Sequence, residues 1–546
     1  MKHRIKYSEL RNQIIWAWSI TKGNRGGIIL CFVLEMISLV FSLAFIYWSK
    51  QAVDIATGKM SGSLRTTLVY IIASVFISVV LGIATGRISE YVNMKVTIRL
   101  QNSLIWTQMT TLWHRAKQWH TGDLLVRLNA DCAETTQMVV SSFPAFLVTC
   151  IKLAASLGFL WAMDSMLAMM ILCITPLLLF SKLYYKKMRS LSQVVKKAQS
   201  HFGTALLENL KNRLLIMGLQ AVKVRWEKIL ASQDSLFQLK MKQLTFYTLS
   251  QFIIKLTFNG GYLLAFLWGI YRLHSGEITY GTMTAFLQLV SGIQTPVLSM
   301  IGFASVAIRS QTAIERMMEI CENETEIDAK PVKIDHPLRL TADKLCFRYE
   351  DLNVIEDFSA TMEAGKPTAI VGTSGKGKTT LIRLMLALIK PDKGRLSIES
   401  AKGKSGVSVS TRNNFAYVPQ GNTLFNGTIR ENLLLINSSA DDKQLADALN
   451  LACAEFVFSL PDGLDTEIGE SGQGLSEGQA QRIAITRALL RDCDIWLFDE
   501  ITSALDSQTS RRLIENLMLA GKDKIMIFVT HDLHLADACQ QVVRLN

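Results

Sequence analysis

Six predominantly apolar stretches mark the first 310 positions of the chain, near 26–48, 67–87, 140–162, 165–184, 247–271 and 281–305. Each approaches the roughly 20 residues that a helix needs to cross a hydrocarbon core of about 30 Å. The segments 88–139 and 185–246 keep a helical period but carry too few apolar residues to enter lipid. Basic residues crowd them, including Lys186, Lys187, Arg189, Lys196, Lys197, Lys211 and Arg213, with Lys182 at the end of the preceding stretch, and the N-terminus reads Met-Lys-His-Arg-Ile-Lys. The positive-inside rule puts these parts on the cytoplasmic side, and the short connections 163–164 and 272–280 outside. Residues 1–20 read as an amphipathic helix at the inner surface, with Trp16 and Trp18 suited to the interface; no cleavable signal is expected. A polar run, Glu322-Asn-Glu-Thr-Glu-Ile-Asp-Ala-Lys-Pro331, precedes a boundary expected near 330–338.

Composition agrees with a membrane component. Of 546 residues, 49% are apolar and only 19% are charged, and the mean hydropathy is positive. The net charge of +12 would suit nucleic acid only if it formed a basic face on a soluble domain, whereas it clusters beside the apolar stretches, so no nucleic-acid partner is expected. Nine cysteines are scattered without a Cys-x2-Cys pair, which supports neither a disulfide framework nor a zinc site.

The chemistry lies in the last third. Pro367-Thr-Ala-Ile-Val371 reads as a buried strand and the run from Thr379 as a helix, with Gly372-Thr373-Ser374-Gly375-Lys376-Gly377-Lys378-Thr379 between them. Glycines at 372, 375 and 377 let backbone N–H groups converge on phosphate oxygens at a helix N-terminus. Lys378 would reach the β- and γ-phosphates and the Thr379 hydroxyl would bind Mg²⁺, with Thr380 following. About 120 residues later, Asp494-Ile-Trp-Leu-Phe498 ends in Asp499-Glu500, and this strand is expected to end beside the phosphate loop in a parallel sheet. Asp499 is then placed to hold Mg²⁺ and Glu500 to polarise the attacking water.

With Leu475-Ser476-Glu477-Gly478-Gln479 between them, these strings resemble the ATP-binding cassette. The apolar half before them makes the chain resemble one half of an ABC transporter of the exporter type. The resemblance implies an α-helical membrane domain of six spans with cytosolic extensions, plus an α/β P-loop nucleotide-binding domain with a helical subdomain. It implies an N-terminal elbow over 1–25, a membrane domain over 26–310, a linker over 311–337 and a cassette over 338–546. Residue by residue, it implies that Tyr349 stacks on adenine, that Gln420 senses Mg²⁺ and water, that Asp506 lies in the loop crossing a dimer interface, and that His531 contacts the γ-phosphate. Ser476, Gly478 and Gln479 would complete the ATP site of a partner. The polar segments 88–139 and 185–246 would be stalks, each turning at a coupling helix: one just before Thr121-Gly122-Asp123, the other near Leu206-Leu-Glu208-Asn-Leu.

The implied activity is ATP-driven export or flipping of a hydrophobic or amphiphilic substrate by alternating access, with ATP and Mg²⁺ as cofactors. An importer on the same fold and an ATP-gated channel or regulatory membrane protein are the alternatives. One cassette and one six-span set per chain imply a second half-transporter, with a homodimer favoured, in the cytoplasmic membrane with the cassette in the cytosol. Cargo is open among small molecules, lipids and peptides. Glu477 replaces the commonest glycine of the signature and is expected to turn away from phosphate. Glu35 and Lys255 fall inside spans, where a charge is costly; each either contacts substrate or is neutralised locally, Glu35 by pairing in the bundle and Lys255 by snorkelling. Gln288 and Gln294 could line the pathway, and Pro296 could bend the last span.

Overall fold

Apolar strings too long for a soluble core become long helices here. The structure, a computed structural model, describes residues 7–116, 121–174, 181–322, 324–326, 330–349, 352–373, 375–421, 423–469 and 474–545. Among them, Arg25–Ala56, Leu64–Thr110, Asp123–Met163 and Val222–His274 are long and apolar enough to cross a membrane. The fourth apolar stretch begins the helix Ser165–Ile174, and positions 175–180 lie outside the described residues. The sixth lies in the helix Tyr280–Cys321, with Pro296 inside it. Phe76 and Ile83 are more than two-thirds exposed on the second of these helices, which in water would be unfavourable and in lipid is not.

The chain divides into two compact units, Met1–Trp106 with Thr121–Glu322, and Thr107–His120 with Asn323–Asn546. In the first, Leu160, Leu167, Phe286, Leu289 and Ile293 form a closed apolar core. Two buried carboxylates of this unit are paired, as buried charges tend to be. Asp164 accepts from the Leu167 N–H at 2.9 Å and from the Trp268 indole at 3.3 Å, with Arg272 at 3.6 Å. Asp54 accepts from the Gly281 N–H at 3.0 Å, placing a carboxylate at the positive end of the helix Tyr280–Cys321. Only glycine fits there: a Cβ on Gly281 would lie 2.2 Å from the Lys50 carbonyl oxygen. Further along, buried Arg127 bonds Asp123 and Glu319, each at 2.9 Å.

One expectation needs correction. Leu206-Leu-Glu208-Asn-Leu is not a coupling turn but the end of the continuous helix Ser181–Lys211. Nothing in that string breaks a helix, and Glu208 and Asn209 are held by Arg225 of the returning helix at 2.9 and 2.5 Å. The chain turns after Asn212, through a short helix Arg213–Gly218 that exposes Leu214, Leu215 and Met217. The earlier short helix is Trp113–Ala116, ahead of Thr121 as expected.

Among its described residues the second unit holds eleven strands: β1 (Pro337–Tyr349), β2 (Leu352–Glu363), β3 (Thr368–Val371), β4 (Lys393–Ser400), β5 (Gly403–Gly406), β6 (Phe415–Val418), β7 (Gly427–Thr428), β8 (Glu467–Ile468), β9 (Ile495–Asp499), β10 (Ile525–Thr530) and β11 (Gln541–Arg544). One sheet is antiparallel in the order β2-β1-β4-β5, a second has the order β11-β3-β10-β9-β6 with every neighbouring pair parallel, and β7 pairs with β8 alone, antiparallel. β9 and β10 are buried at every position, as strands covered on both faces must be. A parallel sheet was expected, but β9 does not adjoin β3: β10 lies between them.

The segment before Trp113 belongs to this unit. The Leu112 N–H donates to Glu324 O at 3.1 Å and the Glu326 N–H to Thr110 O at 2.7 Å, around an antiparallel bridge from Thr111 to Thr325. Arg412 grips the Glu326 carboxylate with two bonds of 2.8 Å.

Candidate ATP site

The strand order builds the site. In a parallel sheet all C-terminal ends share one edge, and neighbours lie about 4.8 Å apart. The order β3-β10-β9-β6 therefore delivers the Gly372 loop, His531, Asp499-Glu500 and Gln420 side by side. A cavity of about 530 Å³ opens there, lined by Val354, Gly375, Gly377, Lys378, Thr379, Thr380, Gln420, Glu500 and His531. Gly375 and Gly377 have φ of +86° and +91°, and a Cβ on Gly377 would lie 2.8 Å from Val354 O, so glycine is required twice over. The loop delivers Lys378 and Thr379 at the start of the helix Lys378–Met385. Lys376 closes the preceding turn by donating its N–H to Thr373 O at 3.3 Å, and Ser374 lies outside the described residues.

Glu500 is where these elements meet. One carboxylate oxygen accepts from Gln420 Nε2 at 2.5 Å; the other is 3.1 Å from His531 Nδ1 and 3.7 Å from Lys378 Nζ. Lys378 also donates to Gly372 O at 2.7 Å. The backbone of Glu500 is left-handed, φ +50°, a conformation that costs a side-chain-bearing residue on the order of 1 kcal/mol. Four bonds hold it: its N–H donates to Val529 O at 2.9 Å, and its carbonyl accepts from Gln481 Nε2 and Ser503 Oγ, each at 3.0 Å, and from the Ser503 N–H at 3.3 Å.

Asp499, one residue earlier, is buried. Burial first, and the Glu500 charge second, push its carboxyl up to about 6, while Lys378 and Arg383 pull the other way. Tyr417 beside it is pushed up to about 12 by burial and by that carboxylate. Hydroxyl, amide and carboxylate oxygens from Thr379, Gln420 and Asp499 suit a small hard cation, and the desolvated acid pair Asp499-Glu500 gains from one. Because the folded-state pKa of Asp499 is raised, its ionisation destabilises the protein as pH climbs from about 4 to about 6. Asp499→Asn is therefore expected to stabilise the nucleotide-free protein at pH 7.5 by on the order of 2 kcal/mol, allowing for screening from the open cavity. Thermal unfolding against pH tests this, and the difference must vanish as the pH falls toward 4.

The chain matches the family described as ABC transporter transmembrane region over residues 28–297 and the family described as ABC transporter over 355–503. It is an ABC transporter. Relatives include the ATP-dependent lipid A-core flippases of Yersinia pestis bv. Antiqua (strain Antiqua), 26% identical over 96% of this chain and 92% of the relative, and of Sodalis glossinidius (strain morsitans), 27% identical over the same shares. Its fold is similar to that of a bacterial Atm1-family ABC exporter solved with ATP bound, with a TM-score of 0.81 at 22% identity, covering 96% of this chain and 93% of that one. The transporter is thus a membrane protein with the exporter fold, an ATPase coupled to transport.

Other expected site residues of the transporter lie apart from the cavity lining. Ser476 caps the helix Glu477–Leu489: its Oγ accepts from the Gln479 N–H at 3.2 Å, and Gln479 Oε1 accepts from the Ser476 N–H at 2.9 Å. Gly478 packs so close to Ala504 O that a Cβ would lie 2.5 Å from it, joining the signature to the loop before Asp506. Asp506 caps the helix Ser507–Ala520; backbone N–H groups, chiefly that of Thr509, hold its carboxyl below the usual range. Tyr349 does not line the cavity. Its hydroxyl accepts from Arg383 at 3.0 Å, and the Arg383 guanidinium stacks 4.2 Å from the Trp113 ring.

Sequence reasoning missed Gln481, Val354 and Arg383. Gln481 carries a signal in hindsight, a second glutamine one half-turn beyond the signature on a face that the cap directs inward. Val354 and Arg383 carry none, because contacts between strands, and across hundreds of residues, leave no local trace.

Proposed function

We propose that two copies of this chain form an ATP-driven transporter in the cytoplasmic membrane that moves an amphiphilic lipid outward, with the cassettes in the cytosol. The observation that carries this reading is the convergence of Lys378, His531 and Gln420 on Glu500 in a chain that also supplies membrane-crossing helices. Lipid cargo is favoured by the relatives at 26–27% identity, which are lipid A-core flippases.

In this reading Gly372–Thr380 wrap the phosphates, and Lys378 exchanges the Gly372 carbonyl for phosphate oxygens. Tyr349 stacks on adenine once Arg383 yields its hydroxyl. Thr379, Gln420 and Asp499 would hold Mg²⁺, which when bound neutralises charge on the transferring phosphoryl group. Glu500 orients the attacking water and His531 contacts the γ-phosphate. Ser476, Gly478, Gln479 and the loop ending in Asp506 serve the nucleotide of the partner subunit, since they lie outside the lining of their own cavity. ATP-dependent translocation of lipid by protein reconstituted in liposomes tests the reading, with cassettes facing outward; lipid movement without ATP, or none with it, would overturn it.

The signature gives a sharper prediction. Glu477 is exposed at the first helical turn, so Glu477→Gly should change ATP turnover by less than about threefold. Ser476→Ala removes a hydroxyl that would face the partner's γ-phosphate and should slow turnover at least about tenfold. It also removes a helix cap worth about 1 kcal/mol, which a melting curve reads separately.

A further inference from the structure

A cavity of about 540 Å³ opens within the membrane unit. Its walls come from one face each of the helices Arg25–Ala56, Leu64–Thr110 and Asp123–Met163. Glu35, Ser38 and Ser42 recur along the first at the spacing of a single helical face. The second adds Ser78 and Thr85 with Gly82 and Gly86 between and beside them, and the third adds Ser141, Thr149 and Lys152. A Cβ on Gly82 or Gly86 would meet nothing within 4 Å, so the glycines leave room that no neighbour fills.

Two pairs of contacts set the depth of each charge. Ser38 and Ser78 hydroxyls lie 3.2 Å apart and Cys31 Sγ is 3.8 Å from Thr85 O, so these helices are antiparallel and Glu35 comes level with Leu81 and Gly82. Ser89 with Ser141 at 3.0 Å and Thr97 with Thr136 at 2.6 Å make the second and third helices antiparallel as well. Lys152 lies as far beyond Ser141 as Ser78 lies before Ser89, so it comes level with Ser78. The acid and the base thus line one cavity about one helical turn apart in depth, roughly 5 Å. Among the described residues neither has an ion pair or side-chain hydrogen bond.

A carboxylate and an ammonium at membrane depth each need a counter-charge. Since they do not pair with each other, a ligand with a cation and an anion a few ångströms apart satisfies both. Phe76, Val79 and Ile83 expose apolar surface on the same middle helix, outside the face that lines the cavity, so a ligand whose headgroup enters the cavity can leave its acyl chains in lipid. We propose that this cavity binds the headgroup of a zwitterionic amphiphile, its ammonium on Glu35, its phosphate on Lys152 and its remaining polar atoms on the serine and threonine hydroxyls. This rests on the amphiphile-transport reading, because it names the class of that substrate.

The test is binding, without ATP, to full-length protein in nanodiscs of neutral lipid, using acyl-labelled phosphatidylethanolamine as the probe. Phosphatidylglycerol, dodecylamine and soluble phosphoethanolamine are the competitors. Wild type should prefer phosphatidylethanolamine to phosphatidylglycerol and to dodecylamine by at least about tenfold, and phosphoethanolamine should compete only weakly. Glu35→Gln should abolish the preference over phosphatidylglycerol, and Lys152→Gln the preference over dodecylamine. Gly82→Leu, which fills the cavity without touching a charge, should weaken binding of the probe by about tenfold. The exchanged double variant Glu35→Lys/Lys152→Glu should recover part of the preference, a result that misfolding cannot give. Equal affinity for all three amphiphiles in the wild type, or unchanged preference in both single variants, overturns the proposal. Competition by phosphoethanolamine as strong as by the lipid overturns the amphiphile and leaves a soluble zwitterion. Binding that is selective while ATP moves no lipid across liposomes sinks the transport reading instead, so the two failures are distinguishable.

Discussion

Glu500→Gln should bind ATP with nearly wild-type affinity yet hydrolyse it at least about a hundredfold more slowly, a rise of roughly 3 kcal/mol in the barrier. The amide keeps the size and the left-handed backbone of Glu500, with its bonds to Val529, Gln481 and Ser503. What it loses is the charge that draws Lys378 and His531 to one carboxylate and can orient a water. Steady-state phosphate release and equilibrium nucleotide binding, measured on the same preparation, separate the two quantities. Turnover above a few per cent of wild type would remove Glu500 from the central role.

Lys378→Ala should act one step earlier and weaken ATP binding by about 30- to 100-fold. A buried, charge-assisted bond to phosphate contributes about 2–3 kcal/mol, and each 1.4 kcal/mol is about tenfold in affinity. Lys378 is largely buried at the start of its helix and already donates to Gly372 O, so in binding it exchanges one oxygen for another. Calorimetric titration with ATP checks the figure. Affinity unchanged with only slower turnover would assign Lys378 to the transition state alone.

Much of this was legible in the chain because it is local. The phosphate loop announces itself by glycines at fixed spacing between a strand and a helix, and Gly375 and Gly377 do adopt the positive φ that the spacing requires. The apolar stretches predicted long helices for the same reason: about twenty residues with at most a charge or two leave few other places to go. What failed was non-local. No pattern within β3 or β9 reveals that β10 runs between them, although that insertion is what brings His531 to Glu500. The turn after Asn212 was misplaced because Leu206–Leu210 and Arg213–Gly218 share one helical period, and only the grip of Arg225 on Glu208 and Asn209 distinguishes shaft from turn. The Arg383 stack on Trp113 joins residues some 270 positions apart.

The bridge from Thr111 to Thr325 has a consequence for synthesis. Residues 107–116 leave the ribosome with the early membrane helices, yet their hydrogen-bond partners at 324–326 and the ring partner of Trp113 at Arg383 come more than two hundred residues later. At about 5–20 residues per second, that segment waits on the order of tens of seconds with its backbone N–H groups and its tryptophan uncovered. Folding of this unit is therefore not confined to the C-terminal residues: it closes only after the membrane helices are made, on a segment made before most of them. A cassette expressed from residue 338 onward lacks both strands of the bridge, leaves Arg412 without Glu326, and presents as bare surface what the full-length chain closes.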